Sequence, residues 1–272
     1  MTQIFATDLD GTLLNSSGGI SAPNVAALKA AQQAGVQVVF VTGRPPRWMA
    51  EIGNLTGINS HAICANGALR FDIANGQVVH AHYIDSDLGL EVVTALRGID
   101  PGISFAVEIA NEETPFVIDP QYRPRWETQQ VVPRLPVEAM FDSGQVIKLM
   151  ARPSAGVILD ADEFVTAAHS VAANLVDLTH SNIFDVLLEM SPVGVNKGTA
   201  LAQFAAERGI SQSAVAAVGD MPNDVPMISW AGLGAAVANA HESVKAVADV
   251  LLPSNDEDAV AVFITQLIAA NR

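Results

Sequence analysis

The chain has 272 residues, 50% hydrophobic and only 16% charged, enough to bury a sizeable core and too apolar for a disordered chain. Its net charge of -15 argues against nucleic acid as a partner, since a polyanion needs a basic footprint. A lone Cys64 in apolar HAICANG, an N-terminus without a basic-then-apolar leader pattern, and no membrane-length apolar run together predict a cytoplasmic chain with no membrane span.

QIFAT, residues 3–7, reads as a short buried strand that runs into two acids, Asp8 and Asp10. Ser21 is a candidate N-cap, Pro23 suits a first helical turn, and NVAALKAAQQAG reads as a helix closed by Gly35. VQVVFVTGR follows as a β-branched strand apolar on both faces, which completes a βαβ unit with parallel strands. The C-terminal third repeats the alternation: helix 196–209, strand 214–220, a short helix in NDVPMISWAG, strand LGAAVAN, helix ESVKAVA, strand DVLLP and helix DEDAVAVFITQLIAA. Between them the text changes. Prolines are frequent and strand-like pieces (SFAVEIA, PFVID, VIKLMAR) precede a helix at 161–175 and a strand in IFDVLLEMSP. The reading is an α/β protein: a doubly wound parallel-sheet core of the Rossmann kind, residues 1–84 and 188–272, with an inserted α+β domain at 85–187.

In an open parallel sheet, ligands bind beyond the carboxyl ends of the strands. Here those ends carry Asp8-Leu9-Asp10, Thr42-Gly43-Arg44 and GDMPND with Asp220, Asn223 and Asp224, while Lys197 opens the helix of the third group. On an extended chain Asp8 and Asp10 point to one side, where their repulsion calls for a positive partner. Three carboxylates from two strand ends can hold a hard cation, and oxygen ligands suit Mg²⁺. Lys197, the Thr42 hydroxyl and loop N–H groups then fit a phosphoryl group, with Gly11 and Gly43 permitting close backbone approach. With the phosphate charge offset, Asp8 is placed to attack phosphorus, and Asp10 to serve as general acid and base.

The pieces DLDGTLL (8–14), TGR (42–44), NGA (66–68), NKGTAL (196–201) and GDMPND (219–224) stand in the order found in haloacid dehalogenase phosphatases. The sequence resembles that superfamily, and more closely its Cof-like branch, which carries a large type IIB cap between the second and third motifs. The resemblance implies Asp8 as the phosphorylated nucleophile, Asp10 as acid/base with its main-chain carbonyl on Mg²⁺, and Asp220 as a third metal ligand. It implies phosphate contacts from Leu9 N–H, Thr42, Gly43, Lys197 and Asn223, with Asp224 as a supporting acid. The cap is expected to close over the core and select a small phosphorylated metabolite. A sugar monophosphate is favoured because basic residues in the insert are few.

Other readings compete. A calcium loop counted from Asp8 fails at its sixth and twelfth positions, which are Leu13 and Gly19. Asp220 and Asn223 alone could be helix caps, and Arg44, Arg47 and Trp48 either touch substrate or lie in a solvated loop. A phosphosugar mutase, or a phosphate-binding regulator without catalysis, remains the alternative to a phosphatase. The sequence is silent on oligomeric state, with a monomer plausible.

Overall fold

The first strand, β1, is Ile4–Thr7, four fully buried residues, and it lies inside an eight-stranded sheet. The computed structural model describes residues 1–110, 115–124, 132–158, 160–182 and 185–271. They divide into two compact units, Met1–His80 with Asn196–Arg272, and Ala81–Val195. After β1, helix α1 (Ala22–Gln33) begins where the Ser21 side chain accepts a hydrogen bond from the Asn24 N–H, and ends before Gly35 at φ +82°. Strand β2 (Gln37–Val41) returns parallel to β1, followed by helix α2 (Met49–Thr56) and parallel strand β3 (His61–Cys64). Antiparallel β4 (Leu69–Asp72) and edge strand β5 (Gln77–Ala81) extend the sheet. Residues 65–67 form a tight turn in which Ala65 and Asn66 take positive φ.

The second unit carries a five-stranded sheet ordered β7-β6-β8-β10-β9. Its helix α3 (Ser86–Ile99) is capped by Asp85, and strands β6 (Ser104–Ile109) and β7 (Phe116–Ile118) form a hairpin. A short helix α4 (Val137–Met140), strand β8 (Val146–Arg152), helix α5 (Ala161–Ala172), and strands β9 (Val176–Thr179) and β10 (Leu188–Pro192) complete it. Every pairing described for the named strands is antiparallel. One face packs Phe105, Val107, Leu149, Ala151, Leu188 and Met190 against α3 and α5. Residues 188–192, placed in the core by the sequence reading, pair with β8 and β9 in this second sheet. The change between units therefore comes at Val195/Asn196, after the strand and not before it.

On the other face Lys148 and Glu189 form a buried ion pair at 2.5 Å. Removing one partner leaves an uncompensated buried charge, so Lys148→Met is expected to cost about 3–5 kcal/mol, and Lys148→Met with Glu189→Leu to recover most of it. Denaturant midpoints of the three chains check this. An unchanged midpoint in the single variant would remove the pair from the account of this unit's stability.

After the second unit the chain re-enters the first at helix α6 (Lys197–Ala206), where Asn196 and Thr199 form a reciprocal cap. Strand β11 (Val215–Gly219) then pairs parallel with β1. Helix α7 (Val225–Trp230), strand β12 (Leu233–Ala236), helix α8 (Glu242–Lys245), strand β13 (Val250–Leu251) and helix α9 (Ala259–Ala270) follow. The sheet order is β13-β12-β11-β1-β2-β3-β4-β5, parallel from β13 to β3. Phe5 meets Phe263 of α9 edge-on, and Asn24 of α1 accepts a hydrogen bond from the Ala261 N–H. With β1 between β2 and β11, the loops after these three strands rise side by side.

Candidate active site

Register fixes what stands at that edge. Thr7 is level with Phe40 of β2 and Val218 of β11, so Asp8, Thr42 and Asp220 follow within one or two residues on three adjacent strand ends. The Asp8 N–H still donates to the Val218 carbonyl, which extends the ladder to the acid itself. Beyond it the chain turns: Gly11 sits at φ +75°, and a Cβ there would lie 2.3 Å from Asp220 Oδ2. Both the backbone angle and the space demand glycine.

Lys197, 1% exposed, joins the acids. Its Nζ donates to Asp8 Oδ1 at 2.7 Å and to Asp224 Oδ1 at 2.6 Å. The other oxygen of Asp224 accepts from the N–H groups of Asp220 and Met221, so Asp224 is spent on holding Lys197 and its own loop. Thr12 Oγ1 donates to Asp220 Oδ1 at 2.9 Å. Asp8, Asp220 and Asp224 each offer an oxygen, and these lie within 4.8 Å of one another. One ammonium stands against three buried carboxylates, and the imbalance shifts their proton affinities. Burial pushes the Asp8 carboxyl up to about 7 against the pull of Lys197, with Asp224 and Asp10 adding to the rise. Burial first, then Asp8 and Asp224, raise Asp220 well above the carboxylate range. Lys197 is held above the ordinary lysine value: burial opposes its charge, but Asp224 and Asp8 outweigh it. Excess negative charge on oxygen donors, with no sulfur or imidazole among these residues, fits a hard divalent cation.

The carboxylate of Asp10 does not join this group. It is 57% exposed and gripped by Arg44. An extended chain would have put it beside Asp8, but β1 ends at Thr7 and a helical turn opens at Leu9, between the two acids, which carries Asp10 outward. The positive partner of Asp8 is thus Lys197, and that of Asp10 is Arg44. Leu9 has a fully buried side chain, so only its backbone can serve a ligand. Thr42 is buried; its hydroxyl oxygen accepts from the Arg44 N–H, and Gly43 occupies the turn between them. Asn223 Nδ2 donates to Asn66 Oδ1 at 3.1 Å, which ties the NGA turn to the GDMPND loop. The sequence reading singled out NGA (66–68) without giving Asn66 a partner, and missed the Thr12 contact and Asn239, whose side chain donates to the Gly11 carbonyl at 2.8 Å. Thr12 carried a signal, inside DGTLL itself, and Asn239 carried none.

The family model of haloacid dehalogenase-like hydrolases matches residues 5–264. The chain belongs to that family. Within it, the chain falls in the Cof-like branch of phosphatases. It is 28% identical to phosphatase YwpJ of Bacillus subtilis, over 98% of this chain and 100% of that one. It is 29% identical to the 5-amino-6-(5-phospho-D-ribitylamino)uracil phosphatase YcsE of the same organism, over 95% and 93%. Among solved structures, a haloacid dehalogenase-like hydrolase from B. subtilis superposes with a TM-score of 0.82 at 26% identity, over 98% and 100% of the two chains. No helix among the described residues is long and apolar enough to cross a membrane.

Proposed function

We propose that this haloacid dehalogenase-family enzyme hydrolyses a small phosphomonoester in two steps through an aspartyl-phosphate on Asp8, with Mg²⁺ as its cofactor. The observation that supports this most is the buried Lys197 bridging Asp8 and Asp224, with Asp220 alongside. In the first step an Asp8 oxygen attacks phosphorus and the ester P–O bond breaks; the departing oxygen takes a proton from the Asp10 carboxyl and leaves as an alcohol. In the second, the Asp10 carboxylate accepts a proton from water as the water oxygen attacks phosphorus. The bond to Asp8 then breaks and inorganic phosphate leaves. Lys197 supports both steps: its ammonium has three donors, two already on Asp8 and Asp224, and the third is available to a phosphoryl oxygen. Thr42, Asn223 and the N–H groups of Leu9 and Gly43 would hold the remaining oxygens. A bound divalent cation, held by Asp8, Asp220 and the Asp10 main-chain carbonyl, supplies positive charge against the phosphoryl group.

A monophosphate of a sugar, polyol or similar metabolite is the substrate class proposed. The curated relative named above is called a phosphatase of 5-amino-6-(5-phospho-D-ribitylamino)uracil, a uracil that carries a phosphorylated ribityl chain. The cations of the second unit are also individually engaged. Arg97 meets Glu138, Lys148 meets Glu189 and Arg152 meets Asp185. Arg123 and Arg134 donate to backbone carbonyls at 119–122, and Arg125 lies outside the described residues. This pattern favours a single phosphate and hydroxyl groups over a polyphosphate. A phosphate-release screen with Mg²⁺ across a metabolite panel tests it. Sugar and polyol monophosphates are expected to lead; nucleoside triphosphates or phosphoproteins leading, with sugar phosphates untouched, would overturn the substrate class.

A further inference from the structure

Asp10 and Arg44 come from different strand ends, and the contact between them is two-pronged: Arg44 Nε donates to Asp10 Oδ2 at 2.7 Å and Nη2 donates to Asp10 Oδ1 at 2.5 Å. A paired fork of this kind fixes the plane of a carboxylate as well as its place. Arg44 is itself held from several sides. Its N–H donates to Thr42 Oγ1 at 3.1 Å, its carbonyl accepts from the Ala65 N–H at 3.0 Å, and its guanidinium lies 5.4 Å from the centroid of the Trp48 ring. The pair is not there for stability, since Asp10 is 57% exposed and an ion pair so open to water contributes little. What it does is hold an exposed acid, one edge to solvent, against a backbone pinned at both Thr42 and Ala65.

We propose that Arg44 is a positioning residue for Asp10, setting the orientation in which that carboxylate exchanges protons during turnover. This rests on the reaction proposed above. Position matters at this point because a displacement of about 1 Å in a reacting group can cost on the order of 100-fold in rate. The arrangement assigns Arg44 to Asp10: both the Nε and Nη2 donors face the carboxylate.

The test uses p-nitrophenyl phosphate, whose leaving group departs as the anion and needs no proton. With this probe the first step does not depend on Asp10, and only the second, in which Asp10 takes a proton from water, reports its placement. Arg44→Ala is expected to lower kcat about 10- to 100-fold and KM by a similar factor, leaving kcat/KM within about threefold. It should also release a burst of nitrophenol close to one per site, as phosphoenzyme accumulates. Arg44→Lys keeps the charge but not the fork, so it should show the same split to a smaller degree, and it carries the test if the alanine variant does not fold. A raised KM with kcat held would make Arg44 a substrate contact. Equal losses in kcat and kcat/KM, or no loss at all, would also overturn the proposal. Asp8→Asn, run beside it, separates the two levels. If that variant turns over normally the two-step reaction itself fails; if it is inactive and Arg44→Ala shows no burst, only the positioning role falls.

Discussion

Asp8→Asn is expected to lower phosphate release by about 10³-fold or more while the chain keeps its fold. The amide has the shape of the carboxylate and retains an oxygen for the Lys197 ammonium, which now donates to Asp8 Oδ1 at 2.7 Å. It is, however, a poor nucleophile toward phosphorus. The substitution also relieves a buried acid whose carboxyl burial pushes up to about 7, so no large drop in melting temperature should accompany the loss. Inorganic phosphate release and a thermal melt on the same preparation read both halves. Turnover within tenfold of the parent would remove Asp8 from its proposed role.

Removal of divalent cation should be nearly as damaging, and its effect on stability carries a sign. The Asp8 carboxyl stands at about 7 in the folded chain against 3.8 as its ordinary value, and burial and its acidic neighbours raise Asp220 as well. Between those values the folded chain binds more protons than the unfolded one, so this contribution is fully present below about 4 and is lost as pH rises through about 7. A cation that stabilises the ionised carboxylates opposes the loss. In EDTA the melting temperature should therefore fall from pH 5 toward pH 8 more steeply than with Mg²⁺, and the Mg²⁺-induced rise should be larger at pH 8. Asp220→Asn, which keeps an acceptor for Thr12, should melt higher than the parent in EDTA at pH 8 and lose most of the response to Mg²⁺. Activity should fall below detection in excess EDTA and return with Mg²⁺. A rise of equal size at pH 5 and pH 8, or full activity in EDTA, would contradict the metal role given to Asp8 and Asp220.

The parallel core was readable because its signals are local. Unbroken apolar runs such as VVFV, capping at Ser21 and stop glycines such as Gly35 each act within a few residues, and the structure shows β2 and α1 where those signals lie. The inserted unit was read less completely. The sequence reading assigns no element to residues 86–99, although Asp85 caps a helix there, because Gly89 and the β-branched run Val92-Val93-Thr94 weaken the local helical signal. The β4–β5 hairpin escaped for a different reason: β5 is an exposed edge strand with little apolar alternation to see. Strand β10 was recognised as a strand, but which sheet it joins is decided by pairing with β8 and β9, a tertiary fact with no local signature. The same holds within the site. The alternation of Asp8 and Asp10 predicts neighbours on one face, yet the helical turn that opens at Leu9 separates a buried acid from an exposed one. That Arg44 would hold Asp10 could not be read from residues 34 positions apart.

The central claim is that phosphate passes through a covalent bond to Asp8, and rapid quenching tests it most directly. The parent enzyme, mixed with substrate and Mg²⁺ and stopped in acid within one turnover, would be digested and its peptides weighed. The account requires the mass of one phosphoryl group on the peptide that contains Asp8, labile to hydroxylamine as an acyl phosphate is, and absent from Asp8→Asn. Normal turnover with no phosphorylated peptide, or a phosphoryl group on a residue other than Asp8, would contradict it.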